Sequence, residues 1–179
     1  MENDREGLLH RYFAGLAEDT FESQLGLVDP PLVDYVTDLL VRFVRSDGVF
    51  RLRSLAGRPL IEIVDMMREA DQRIGEARRE VYRHIGDFTL FWTGVYPERI
   101  SALNVVQSID HLVDYREHGK RSYRMASQIQ QHDEQEASSD LLQRLSEQYE
   151  LCAYGLRQVR EQWETRAGEG DGPQMLLWN

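Results

Sequence analysis

A chain of 179 residues, 41% hydrophobic and 29% charged, is long enough for one hydrophobic core and too apolar for low-hydrophobicity disorder over most of its length. The formal net charge of −10 weighs against bulk electrostatic attraction to nucleic acid or an anionic membrane. The single cysteine, Cys152, excludes an intramolecular disulfide framework and a Cys-based zinc site.

Residues 1–7 are polar and acidic, unlike a signal peptide, and no apolar run approaches the ~18–20 residues of a membrane span. The cytoplasm is the expected compartment. Proline and glycine divide the chain into helical stretches, and no alternating run predicts a strand.

The first predicted helix covers about 4–24, with an apolar face of Leu8, Leu9, Tyr12, Phe13, Leu16 and Phe21. Asp29-Pro30-Pro31 opens the second with an N-cap aspartate and prolines placed where a missing N–H costs nothing. That helix runs to about residue 46. Its polar residues Asp34, Thr37, Asp38, Arg42 and Arg45 occupy one stripe, and the rest is apolar, which predicts the central helix of a bundle.

A turn at Ser46-Asp47-Gly48 leads to 49–56, a short helix or an irregular arm. The third helix is expected from Gly57-Arg58-Pro59 to a stop at Gly86. Leu60, Ile63, Met67, Ala70, Ile74, Ala77 and Val81 follow three-four spacing, and His84 takes the next seam position. Four aromatics in 88–96, between Gly86 and Pro97, predict a separate short helix or turn.

Helical patterning resumes over 98–131, with Gly119 as a candidate break, and a polar loop follows at 132–137. The last helix starts at Ser138 or Ser139 and has a second seam of Leu142, Leu145, Tyr149, Cys152, Leu156, Val159 and Trp163. The expected architecture is all-α: an antiparallel bundle of about four to six helices over 1–167, then a Gly-rich linker and apolar tail at 168–179. Leu39, Phe43, Met67, Ile74, Leu145 and Leu156 are the predicted core.

Chemistry-bearing patterns are few. Phosphate loops, dinucleotide fingerprints and nucleophile elbows are absent from the sequence, as is the paired Glu-x-x-His of di-iron bundles. Asp110, His111, Asp114 and His118 share a helical ridge, and Glu76, Glu80 and His84 form another. Facing each other, the two ridges would supply ligands for Fe, Mn or Zn; the bland alternative is solvated acids paired with arginines. His84 is expected inside the bundle in either case, and Cys152 reads as a small buried hydrophobe.

A basic segment, Arg42, Arg45, Arg51, Arg53 and Arg58, stands against the acidic background. It would grip an acidic partner or phosphates, or else neutralise acidic helices of the same chain. Phe91 and Trp92 are candidates for a docking hot spot or for core. Leu176, Leu177 and Trp178, behind the glycine-rich linker, must dock on this domain, on a partner, or stay exposed. The leading expectation is a non-catalytic helical module for a protein partner or for self-association, with no cofactor, nucleic acid or membrane. The alternative is a metal- or cofactor-dependent enzyme built around Glu80, His84, His111, Asp114 and His118.

Overall fold

The computed structural model describes the backbone of residues 2–44, 51–103, 110–132 and 137–168, and the side chains of these except 2–6 and 101–113. Among the described residues the fold is an all-α helical bundle, and no helix is long and apolar enough to cross a membrane. Eight α-helices lie among the described residues, more than the four to six expected.

Helix α1 (Glu2–Glu18) continues through a π-helical turn at Asp19–Gln24 and buries Phe13, Leu16, Ala17 and Phe21. Asp29 caps α2 (Pro30–Val44): its Oδ1 accepts from the Leu32 amide at 3.3 Å, and its carboxylate pairs with Arg144 at 2.7 Å. Thr37, expected on the polar stripe, is buried, and its hydroxyl donates to the Val33 carbonyl at 2.9 Å.

Residues 51–62 form an irregular arm rather than the start of a helix. The Leu60 amide donates to the Leu52 carbonyl at 2.9 Å, Gly57 turns the chain at φ +80°, and buried Leu52 and Leu60 pin the arm to the core. Helix α3 therefore begins only at Ile63 and ends at Gln72.

The expected third helix is broken where the seam looks continuous. Arg73 and Ile74 are extended, and Gly75 takes φ +57°, a left-handed value that favours glycine. Ile74, predicted as core, is consequently 86% exposed. The break also shifts the register: Met66 is fully buried, Met67 only partly, and Ala77 is exposed.

Helix α4 (Gly75–Val95) passes through Gly86 without stopping, so the aromatic segment is its C-terminal half. Every residue from His84 to Val95 is buried, and α4 packs against α2, α3, α5, α6 and α8. This helix, not α2, is the centre of the bundle. Gly86 is a contact surface: a Cβ there would fall 2.6 Å from ring carbons of Tyr123.

Helix α5 (Pro97–Leu103) precedes α6 (Asp110–Gln128), which also runs through its candidate break, Gly119. A Cβ at Gly119 would lie 2.6 Å from the Tyr149 ring and press on Thr89, so its absence lets α6 approach α4 and α8 closely. Ser138 caps α7 (Ser139–Glu147), accepting from the Leu141 amide at 3.1 Å. A local departure at Gln148 separates α7 from α8 (Tyr149–Gly168). The seam survives this kink, and Leu142, Leu145, Tyr149, Cys152, Leu156, Val159 and Trp163 are all buried. Leu39 and Phe43 are buried as predicted.

Candidate functional site

The fold brings part of the basic segment over the exposed edge of α4. Arg42 arrives from α2, Arg51, Leu52, Arg53 and Ser54 from the arm, and Arg73 from the α3–α4 break. The floor is one face of α4, where Glu80, Arg83, His84 and Asp87 recur at the three-four spacing of a helix ridge. Together these residues enclose a cavity of about 300 Å³.

Asp87, only 2% exposed, is the deepest charge in the cleft. Its Oδ1 accepts from the phenols of Tyr35 at 2.6 Å and Tyr123 at 2.8 Å, and its Oδ2 accepts from Arg42 Nη2 at 3.2 Å. Burial, reinforced by the neighbouring carboxylate, raises both phenols well above their ordinary value and keeps them as donors. The network ties α2, α4 and α6 together at one atom group.

His84 sits above this network, with its ring stacked 6.0 Å from Phe43 and tilted 6.3 Å from Phe88, centroid to centroid. Burial pushes its pKa down to about 4; Asp87 opposes the shift, and the charges of Arg42, Arg51 and Arg83 add to it. The imidazole is neutral near pH 7, and its buried Nε2 makes no hydrogen bond among the described residues.

The arginines are held rather than loose. Arg51 reaches Glu80 at 3.5 Å and Arg83 reaches the same carboxylate at 3.8 Å. Arg73 bonds Glu69 at 2.8 Å and the Arg53 carbonyl at 2.8 Å, while Arg53 donates to the Gly57 carbonyl at 3.0 Å. Thus the partners of Arg42 and Arg51 are acids of α4, not of the terminal helices. Arg58 is exposed on the arm, and Arg45 lies outside the described residues.

The other candidates separate. His118 and exposed Asp114 line a different cavity of about 560 Å³ along α6, with Lys120, Arg121 and Arg124. The side chains of Asp110 and His111 lie outside the described residues. Among the described residues, no three His, Cys, Asp or Glu side chains are grouped to hold a metal ion. Glu80 and His84 do share the cleft, but in a ring of guanidinium groups that opposes a cation.

Phe91 and Trp92 are 0% and 8% exposed and pack with Phe43, Phe88 and Tyr96. They belong to the hydrophobic core. Leu176, Leu177 and Trp178 lie outside the described residues. Burial raises the Cys152 thiol to about 12, which leaves it inert as a nucleophile at neutral pH.

Sequence reasoning missed Arg73, Arg83 and Asp87. Their signal was the i, i+3, i+4, i+7 run of Glu80, Arg83, His84 and Asp87, which becomes one ridge only if the helix crosses Gly86. Comparison with protein-family models, curated proteins and solved structures finds no match.

Proposed function

We propose that this chain is a non-catalytic helical interaction module that holds an acidic segment of a protein partner in the arginine-lined cleft. The observation that carries this reading is a local reversal of charge. Five guanidinium groups converge on one cavity of a chain whose formal net charge is −10. Arginine is suited to this task because its planar fork stays charged and grips carboxylates bidentately.

Two further features support a protein ligand. Exposed Leu55 lies on the arm among Arg51, Arg53 and Arg58, exposed Val64 lies in α3, and exposed Ile61 and Ile74 flank that helix. A segment alternating acidic and apolar residues would match both chemistries. The arm also supplies Arg51, Arg53 and Ser54 to the cleft wall, which sets exposed Leu55 next in the chain to the guanidinium groups.

The test is fluorescence anisotropy with a labelled peptide of alternating glutamate and leucine, and with its lysine counterpart as control. The glutamate peptide should bind, weaken as salt rises from about 50 to about 200 mM, and lose about tenfold in affinity with Arg51→Ala plus Arg53→Ala. Equal binding of both peptides, or indifference to both substitutions, would overturn the proposal.

A further inference from the structure

We infer that the cleft is a phosphoryl pocket, built to seat a phosphate monoester dianion in preference to a carboxylate. This rests on the acidic-ligand reading and narrows it to one chemical group.

Charge is the first argument. Five arginines line the cavity, and three carboxylates are bonded to them: Asp87, Glu80 and, through Arg73, Glu69. The described lining itself carries more positive than negative charge, five arginines beside Glu80 and Asp87. A phosphate monoester carries about −1.5 to −2 near neutrality, so a positive lining attracts it more strongly than a singly charged carboxylate.

Donor supply is the second. A carboxylate has two oxygens and is satisfied by one or two guanidinium forks. Three terminal phosphoryl oxygens use more, and the cleft presents them from the arm, the α3–α4 break and α4. The carboxylate that would most repel an anion, Asp87, is already covered by two phenols and Arg42.

The third is the orphan at the base. His84 is 7% exposed, lines the cavity, and its buried Nε2 is unpartnered among the described residues. A buried polar atom without a partner is destabilising unless a ligand supplies one. A cavity of about 300 Å³ is at the lower limit for ligand pockets, enough for a phosphoryl group and its linking atoms.

Calorimetric titration of the full chain tests this with four probes. These are inorganic phosphate, an acidic peptide containing one phosphoserine, the same peptide with glutamate there, and the same peptide with serine. The phosphopeptide should bind at least about tenfold tighter than the glutamate peptide, and phosphate alone should compete with it. Arg51→Ala plus Arg53→Ala should weaken the phosphopeptide about tenfold or more, and His84→Phe should weaken it further. All variants are to be checked for an unchanged helical circular dichroism spectrum.

If phosphate alone binds as tightly as the phosphopeptide, the source is a free or small-molecule phosphate; if the peptide is tighter, the source is a phosphorylated partner. Both outcomes support the pocket. Glutamate and phosphoserine peptides of equal affinity would overturn the phosphoryl inference while leaving an acidic-partner module standing. Binding of none, or binding indifferent to the arginine substitutions, would overturn both.

Discussion

The Tyr35 phenol of α2 donates to the Asp87 carboxylate of α4 across 2.6 Å, joining residues 52 positions apart in the chain. Tyr123 of α6 shares the same oxygen, and Arg42 takes the other. A buried carboxylate with three donors is stable only as a set, since removing the acceptor leaves two phenols and a guanidinium with unmet bonds. Asp87→Ala should therefore cost about 3–5 kcal/mol, and Tyr35→Phe only about 1–2 kcal/mol. Urea denaturation of the two variants measures both; equal losses would mean that the network does not act as a unit.

Gly119 sets two effects against each other. In an exposed helix Gly→Ala would gain about 1 kcal/mol from propensity. Here the new methyl meets Tyr149 and Thr89, and overpacking of this kind costs about 1–3 kcal/mol. Gly119→Ala should lower Tm. A rise would mean that α6 does not approach α8 as closely as described.

The break at Gly75 reverses what the heptad pattern predicts for Ile74. Leu156→Ala, at a fully buried position, should cost about 2–5 kcal/mol. Ile74→Ala should change stability by less than about 0.5 kcal/mol. Comparable losses at both positions in chemical denaturation would restore one unbroken third helix.

His84 makes stability depend on pH in a definite direction. Unfolded, it titrates near 6.5; folded, at about 4, chiefly through burial. Between those values the unfolded chain binds more protons, so stability falls as pH drops through the window, by on the order of 3 kcal/mol in total. Wild type and His84→Phe should therefore diverge in favour of the variant between pH ~7.5 and ~4.5. A stability difference independent of pH would show that His84 is accessible to protons in the fold.

The helical class and the α8 seam were legible because repeated three-four spacing and caps carry local physics, as at Asp29 and Leu142 to Trp163. The site was less legible because it depends on where helices stop. Gly86 and Gly119 look like stops in sequence but serve as close contacts, while Gly75 looks harmless but breaks the chain with a positive φ. Reading Gly86 as a stop detaches Asp87 from Glu80 and His84 and leaves Phe91 and Trp92 open as either core or docking hot spot. Arg51 and Arg53 were visible as a basic run. That Arg73 and Arg83 would join them is tertiary information, created by the arm folding back through Leu52 and Leu60.

A charge-swap cycle tests most directly that the cleft docks an acidic partner. Arg53→Glu should weaken the glutamate–leucine peptide about tenfold or more. A peptide in which one central glutamate is replaced by lysine should likewise lose affinity for the wild-type chain. Paired together, the variant and the lysine peptide should regain a substantial part of that loss, because the swapped charges face each other in the cleft. Strictly additive losses, with no recovery in the double swap, would contradict docking at the arginine cleft.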